Sequence, residues 1–527
     1  MRRLITIGTL ALALALVAAG CGGGTNSSTG AAVSGTPAGG TGTSDVLRIP
    51  YLADMSVPDP DVFYDIEGNS VILNAYEGLL RYAPGSTKIV GSLAKSWKAS
   101  KDGLTYTFTL QNGVKFHDGT PLTAKAVIAS FKRRLDVNQA PSYMLQPIAK
   151  MSAPGTLKLV LTLKHRVDPF LAYLASSWGP KIIGPEAIKT HAGKDFGQTW
   201  LRSHDDGTGP YALTGFDRGR QYTMTRFEGY WGNKADFRQI LFKITPDIGT
   251  QRLELQHGDL DAVMHSFPAS ELSALPGNVR VIKQNSFLQL LLYVNTNKAP
   301  FNDPAVREGL RAALNVDQLV NSAYSDTATK ASGPYPPGIL SGQPTLPYTP
   351  NASKASAAVA KAATKNVTLA FTSDESGVQR RASELLQAQL QAAGLHVTLK
   401  EVTNPQVYDY VKDLAHAPDL LLMTNTPDAA HPDTWARILF YSSGGLNFLG
   451  FKDGSVDKAL DKAVSAPTNV ADQLYRQVGQ RVIGSNSIFF LGNVKNVFVV
   501  NKDLADVQSV PAYPWTLDLA TLTRTAS

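Results

Sequence analysis

The feature that most limits the fold of this chain is its single cysteine, Cys21, which stands at the end of an apolar leader. Arg2 and Arg3 precede a largely apolar run over 4–19, the pattern of a secretory signal peptide, so we expect residues 1–20 to be removed on export. Because the 527 residues contain no second cysteine, no intramolecular disulfide can form after export. The mature fold must therefore be stabilised by its hydrophobic core alone.

The residues around Cys21 resemble a bacterial lipobox, LVAAGC at 16–21. The resemblance implies a diacylglyceryl group on Cys21 and anchoring to the outer face of the cytoplasmic membrane; a plain secretory signal with an incidental cysteine is the alternative. Residues 22–45 contain almost no bulky apolar side chains, so we expect a flexible tether over 21–45. No other apolar run approaches the roughly 20 residues needed to cross a bilayer, which excludes a polytopic membrane protein.

The chain length and the net charge limit the number of lobes and the kinds of partner that we expect. Roughly 480 residues follow the tether, above the ~250–300 at which one core stops growing, so two or three lobes are expected. The formal net charge is +7 and the basic residues are scattered, so no nucleic-acid partner is expected. The motifs GxSxG, HExxH and GxxxxGKS/T are absent, and the nine histidines show no metal-ligand spacing. We therefore expect no catalytic residue, no metal site and no cofactor.

Hydrophobic periodicity predicts an α+β front half and a βαβ unit in the back half. Alternating apolar residues predict strands at 105–110, 158–164 and 222–226, and an i, i+4, i+8 spacing predicts a helix over 123–135. In the back half, a strand at 367–371, a helix over 378–393 and a strand at 396–399 imply a parallel strand pair. The run DLLLM at 419–423 is apolar on both faces, which predicts a central strand.

Three blocks carry a family resemblance: LAKSW at 93–97, KDGLTYTF at 101–108 and GVKFHDGTPLTA at 113–124. They closely resemble the signature of the family 5 bacterial extracellular solute-binding proteins, the oligopeptide- and dipeptide-binding type of ABC transporter lipoprotein. Turn formers at 102–103 and 118–119 and a helix cap at Thr123 identify these blocks as scaffold. Matching blocks continue in the family's order: NAYEGLL at 74–80, GTGPY at 207–211, YWG at 230–232, QHGDLD at 256–261, the segment 295–314 and NFLGF at 447–451.

The resemblance implies an α/β, periplasmic-binding-protein-like fold of the cluster C type, with two hinged lobes and an additional α+β domain. We predict the first lobe at 46–80, 206–285 and 500–527, the extra domain at 81–205, and the second lobe at 286–499. The resemblance also implies a monomer that captures a solute between its lobes, without chemistry, and delivers it to an ABC permease and ATPase.

One aspartate is the leading ligand contact. In peptide-binding members of the family, an aspartate after a central strand of the second lobe pairs with the peptide α-ammonium in a D-x-x-x-P context, which Asp428 matches; capping of a turn is the alternative. A carboxylate in a water-poor cleft binds a cation far more strongly than in bulk water. Asn425 and Thr426 stand where peptide binders often carry an aromatic residue, and favour hydrogen bonds to a polar solute. Approximate alignment adds Phe63, Asp65, Glu67, Tyr143, Tyr408 and Trp435.

Several ligands and roles remain open at this point. Di- and oligopeptides lead, while oligosaccharides, other small polar compounds and metal chelates are alternatives, the last because His431 lies beside the predicted cleft. A sensory lipoprotein without a transporter is a rival role. A secreted peptidase or glycosidase is a second rival, disfavoured by the absent nucleophile motifs.

Overall fold

The computed structural model describes residues 45–66, 68–265, 267–372 and 376–525. The predicted signal peptide, nearly all of the predicted tether, Cys21 and Glu67 lie outside these residues. No helix in the described ranges is long and apolar enough to cross a membrane. Four sheets of three or more strands organise these ranges, and they define the three parts that we name the first lobe, the extra domain and the second lobe.

The first lobe is built around a four-stranded mixed sheet and a three-stranded antiparallel sheet. The strands of the larger sheet are, in order, Val46–Tyr51, Gln239–Ile244, Gln221–Arg226 and Tyr211–Asp217, of which the first two are parallel. The smaller sheet contains Ala262–Val263, Asn496–Asn501 and Val279–Gln284. Both sheets contribute apolar side chains to one core, so they form a single lobe. The strand predicted at 222–226 is confirmed.

The extra domain is built on an antiparallel sheet with the strand order Ala94–Ala99, Thr105–Leu110, Lys158–Leu163 and Ile148–Gly155. Tyr106, Phe108 and Leu110 are buried on one face, which confirms the predicted alternation. The predicted helix is Ala124–Val137, and the Thr123 hydroxyl accepts a hydrogen bond from the Ala126 N–H at 3.1 Å. This cap explains why the helix begins where the signature block ends.

A buried ionic cluster joins the helix Ala124–Val137 to the loop after the first strand of the first lobe. Arg133 donates to Asp59 and Asp61, both at 2.6 Å, and Arg134 donates to Asp61 at 3.2 Å. All four side chains are at most 1% exposed. The two arginines and two carboxylates compensate one another's charge, which is the condition for keeping such groups away from water.

The second lobe is built around the largest sheet of the described chain, which has six strands in the order Ala328–Lys330, Ile488–Val494, Gln289–Val294, Leu420–Asn425, Asn366–Thr372 and His396–Val402. The predicted βαβ unit is confirmed: Asn366–Thr372 and His396–Val402 are parallel and joined by the helix Val378–Ala392. Leu420–Asn425 is central, as its apolar run predicted, and hydrophobic cores lie on both faces of the sheet.

Two adjacent segments connect the lobes. The chain passes from the first lobe to the second at 285–288 and returns at residue 495, because Val279–Gln284 pairs with Asn496–Asn501 and Gln289–Val294 pairs with Ile488–Val494. The Ser286 hydroxyl donates to the Val494 carbonyl at 2.6 Å and so ties the two crossings together. This arrangement provides the hinge that the family resemblance implied.

The remaining elements surround these sheets. Short strands pair Leu80–Tyr82 with Ile89–Gly91, and Leu504–Ala505 with Thr523–Arg524. Short 3-10 turns occupy Ala140–Met144, Ser325–Thr327 and Tyr410–Lys412. The other helices are Asn69–Ala75, Phe170–Ala175, Pro185–His191, Gln198–Leu201, Ile248–His257, Ala269–Ser273, Pro304–Ala313, Val316–Tyr324, Ala352–Ala360, Asn404–Asp409, Pro432–Phe440, Gly454–Ala463 and Thr468–Ser485.

Candidate ligand-binding site

The carboxylate of Asp428 lies where the two lobes and the extra domain meet. It follows the strand Leu420–Asn425, and the residue is 3% exposed. Tyr64, from the first lobe, donates its hydroxyl to one carboxylate oxygen at 2.6 Å. Tyr143, from the 3-10 turn of the extra domain, donates to the other at 2.5 Å. Residues from three distant parts of the chain therefore converge on one acidic group.

The electrostatics of Asp428 are those of a buried carboxylate without a cation. Burial raises its pKa above the ordinary aspartate value, and the hydrogen bonds from Tyr143 and Tyr64 oppose that rise only in part. Within the described ranges, no Lys, Arg or His side chain forms an ion pair with it. Burial also raises the pKa of both tyrosines, and the neighbouring carboxylate adds to the effect, so their hydroxyls stay protonated as donors.

The loop that carries Asp428 is fixed to the extra domain. The Ser176 hydroxyl donates to the Asp428 carbonyl, and the Ala430 N–H donates to the Tyr82 hydroxyl at 2.9 Å. His431 uses both ring nitrogens: one lies 3.1 Å from Asp168, and the other accepts from the Asp433 N–H at 3.2 Å and caps the helix Pro432–Phe440. These contacts hold the loop in place, and they leave His431 without a free nitrogen for a metal.

Aromatic rings surround the carboxylate. Tyr64 packs edge-on against Trp178 with ring centroids 5.6 Å apart, and Tyr143 packs edge-on against Tyr173 at 5.7 Å. Tyr408, in the helix Asn404–Asp409, is 49% exposed, and burial of its hydroxyl together with the charges of Asp428 and Asp65 raises its pKa. The partly exposed rings of Tyr64 and Tyr408 are surfaces against which an organic ligand can pack.

Two of the predicted polar contacts lie at the end of the same central strand. Asn425 donates from its amide nitrogen to the Tyr293 hydroxyl at 2.9 Å, which leaves its amide oxygen as an acceptor. Thr426 is 9% exposed, and its hydroxyl has no hydrogen-bond partner among the described residues. A buried hydroxyl without a partner is costly, and a ligand at this site could satisfy it.

The other predicted residues lie in different environments. Phe63 and Trp435 are 1% and 0% exposed and belong to hydrophobic cores, and the Trp435 indole nitrogen donates to the Pro334 carbonyl at 2.8 Å. The structure therefore assigns these two side chains to packing. Asp65 is exposed, and its main-chain carbonyl accepts from the Trp178 indole at 2.9 Å. Glu67 lies outside the described residues.

Sequence reasoning missed Tyr64, Ser176 and Trp178. Tyr64 stands between the two residues that alignment selected, Phe63 and Asp65, and in a loop no periodicity says which of three neighbours faces the cleft. Ser176 and Trp178 follow the helix Phe170–Ala175 in a segment without a functional motif. Their role becomes visible only when the fold brings the extra domain against the second lobe.

Comparison with known proteins identifies the family. The model of the bacterial extracellular solute-binding proteins, family 5 Middle, matches residues 88–447. The chain is 31% identical over 475 residues to the probable D,D-dipeptide-binding periplasmic protein DdpA of Escherichia coli. The alignment covers 87% of this chain and 90% of that protein.

Solved structures support the fold. The Helicobacter pylori periplasmic binding protein DppA in complex with the peptide STSA has a TM-score of 0.79 at 22% identity, covering 91% of this chain and 98% of that one. NikZ of Campylobacter jejuni in complex with Ni(L-His) has a TM-score of 0.78 at 20% identity, covering 92% of this chain and all of the other, 100%. The predicted α/β fold of two lobes with an extra domain is confirmed, while its residue boundaries stay predictions. This exported chain belongs to the bacterial extracellular solute-binding proteins, family 5.

Proposed function

We propose that the protein captures short peptides, or a closely similar solute with a primary ammonium group, and that Asp428 binds that ammonium. The observation that carries the proposal is the carboxylate of Asp428, 3% exposed, whose side-chain partners are two neutral hydroxyls. A cation at this position would offset the loss of water that burial imposes on the charge. The relative named for dipeptide binding supports the same ligand class.

The carboxylate of Asp428 can accept hydrogen bonds from a ligand and from both tyrosines at the same time. An ionised carboxylate offers about four lone-pair sites, and Tyr64 and Tyr143 use one on each oxygen. The remaining sites can accept hydrogen bonds from an ammonium while both hydroxyls keep donating. The tyrosines then position the carboxylate, and the ligand supplies the missing positive charge.

The surroundings of Asp428 suit a peptide better than a bare cation. The free amide oxygen of Asn425 and the unpartnered hydroxyl of Thr426 can bind main-chain groups. The exposed parts of Tyr64 and Tyr408 can pack against peptide side chains. Because Tyr64 and Asp428 belong to different lobes, a ligand between them would stabilise the closed arrangement of the lobes.

We further propose that the mature protein is a monomeric lipoprotein anchored through Cys21, which delivers its ligand to an ABC permease and ATPase. The lipobox-like residues 16–21 and the tether composition over 22–45 support the anchor. The tether would keep the receptor close to its transporter and raise its effective concentration there. Mass spectrometry of the N-terminal peptide from membranes tests the lipid directly, and a free thiol on Cys21 would contradict it.

A thermal-shift screen tests the ligand class. The protein without residues 1–44 is unfolded and refolded to remove bound solute, then mixed with di- to pentapeptides, oligosaccharides and nickel–histidine complexes. We expect the melting temperature to rise with peptides only, since a ligand that binds the folded state stabilises it. Asp428→Asn should abolish the rise. Asp461→Asn, the same change at an exposed position in the second lobe with its side chain 58% exposed, should not. A rise with sugars or nickel complexes alone would contradict the proposal.

A further inference from the structure

A cavity of about 380 Å³ lies on the side of the molecule formed by the first lobe and the extra domain. Residues from 73–92, 181, 210, 230–233 and 508–521 line it, and none of these belongs to the second lobe. The cavity is therefore separate from the site around Asp428, which needs the second lobe for its carboxylate. Its volume lies within the range of ~300–1,000 Å³ typical of small-molecule pockets.

Two acidic and two basic residues line this cavity, and three of the four have either an ion pair or several hydrogen bonds. Glu77 accepts hydrogen bonds from Trp231 and Thr208, both at 2.9 Å, and from Tyr230 and Ser92 at 3.3 and 3.4 Å. At the more exposed rim, Arg81 and Asp518 form an ion pair at 3.4 Å. Glu77 therefore has four hydrogen-bond donors but no ion pair among the described residues, and burial raises its pKa, whereas Asp518 has Arg81 as its partner.

Lys181 is the exception. The residue is 4% exposed, and its ammonium donates one hydrogen bond, to the Ser176 carbonyl at 2.8 Å. An ammonium carries three N–H donors, and no carboxylate among the described residues forms an ion pair with this one. Arg134, also positive, is near enough to oppose its charge, and burial together with Arg134 lowers the pKa of Lys181 to about 7.

Buried lysines are rare without a paired anion, because the charge loses its water and gains little in return. The rest of the cavity is lined by neutral polar groups, by aliphatic side chains and by aromatic rings that include Tyr82, Tyr230, Trp231 and Tyr513. A ligand with one negative charge and a planar or apolar body would match both features. An organic carboxylate has this chemistry, since each of its oxygens accepts from an ammonium N–H and its body can pack on the rings.

We infer that this cavity is a second small-molecule site, which takes a small organic carboxylate whose charge pairs with the Lys181 ammonium. The site is separate from the Asp428 carboxylate, because no residue of the second lobe lines it, while Tyr82 and Ser176 also contact the loop that carries Asp428. Glu77, Arg81, Lys181 and Asp518 are the charged residues that line the cavity, and Arg134 is the charged group that opposes the Lys181 ammonium.

Isothermal titration calorimetry with benzoate tests the inference, with uncharged benzamide as the matched probe. At about pH 8 most Lys181 amines are neutral, so binding of a carboxylate should be accompanied by uptake of nearly one proton. Titrations in HEPES and in Tris, which differ in ionisation enthalpy, measure that uptake. At about pH 6 the amine is already protonated, and the uptake should nearly vanish.

Variants assign the signal to Lys181. Lys181→Met removes a buried charge in favour of an apolar side chain of similar length, so it should fold and lose at least about tenfold in benzoate affinity. Lys189→Met, at a position whose side chain is 77% exposed in the same domain, is the control and should bind like the wild type. Asp428→Asn should keep benzoate binding even where it loses peptide binding, which separates this inference from the proposed function.

Four results would overturn the inference: no benzoate binding by the wild type at millimolar concentration, equal affinity of benzamide, equal affinity of Lys181→Met, or the absence of proton uptake at about pH 8. One-to-one competition between benzoate and a bound dipeptide would also overturn it, because that result places benzoate in the cleft around Asp428.

Discussion

Asp428→Asn should raise the stability of the ligand-free protein and abolish peptide binding. The negative charge of Asp428 is unfavourable in the ligand-free fold, but a positively charged ligand needs it. The residue is 3% exposed and accepts from the hydroxyls of Tyr64 and Tyr143. Asparagine keeps the shape: its oxygen accepts from one hydroxyl, and its nitrogen donates to the other. We expect the free energy of unfolding of the ligand-free variant to rise by an amount on the order of 1–3 kcal/mol at neutral pH, which is the usual penalty for an incompletely solvated buried group.

The pH dependence of this difference is a sharper test than its size. The pKa of Asp428 is raised in the folded state above its ordinary value of 3.8, so the folded protein holds the proton more tightly than the unfolded chain does. The wild type therefore loses stability as pH rises from that value through the folded pKa. The advantage of Asp428→Asn should be smallest near pH 4 and should grow to a plateau above the folded pKa. Urea unfolding monitored by tryptophan fluorescence over this range measures it.

A nearby aspartate provides the control for this prediction. Asp433 is 0% exposed and pairs with Arg437 at 3.0 and 3.1 Å while it accepts from Tyr475 at 3.1 Å. Asp433→Asn breaks an ion pair whose carboxylate is buried and should lower the free energy of unfolding by about 1–3 kcal/mol. If Asp428→Asn instead destabilised the ligand-free protein at every pH, as Asp433→Asn does, the interpretation of Asp428 as an uncompensated charge would be wrong.

Three further predictions concern other buried polar groups. Asp61→Asn should lower the free energy of unfolding by about 3–5 kcal/mol in urea titrations, because it removes the one carboxylate that pairs with both Arg133 and Arg134 in the buried cluster; a loss below about 1 kcal/mol would contradict this. Lys181→Met should be more stable than the wild type by up to about 5 kcal/mol below pH 7, since the folded pKa of about 7 lies below the ordinary value of 10.5. That advantage should shrink as pH rises between these two values, and a constant gap would refute the assignment. Thr426→Val should leave the ligand-free melting temperature unchanged or higher but lower peptide affinity by about tenfold, whereas unchanged affinity would remove Thr426 from the site.

The sequence predicted those helices and strands whose formation depends on neighbouring residues in the chain. The βαβ unit from Asn366–Thr372 to His396–Val402, the central strand Leu420–Asn425 and the cap at Thr123 each follow from periodicity or from one side chain's hydrogen bond. The apolar run of Leu420 to Met423 indicates burial on both faces, and this pattern can be recognised in four consecutive residues. Such features depend on a few consecutive residues, so the sequence determines them locally.

The partners of Asp428 could not be predicted in the same way. The hydroxyls that bind it belong to residues 364 and 285 positions away along the chain, and only the assembled lobes bring them together. Trp435 shows the opposite error: a large aromatic side chain near a ligand aspartate suits a cleft, but it also fills a core, and helix geometry turned it inward. The type of a residue limits which interactions its side chain can make, while the packing of the fold decides whether that side chain faces the cleft or the core.

Calorimetric titration of the refolded, ligand-free protein with a dipeptide and with its N-acetyl derivative tests the central claim most directly. The two ligands differ only in the ammonium that Asp428 is proposed to bind. We predict that the free dipeptide binds and that acetylation, or Asp428→Asn, lowers affinity by at least about 30-fold, as expected when one partner of a buried charge pair is removed. Equal affinities for the two ligands would contradict the claim, because the ammonium would then have no partner in the site.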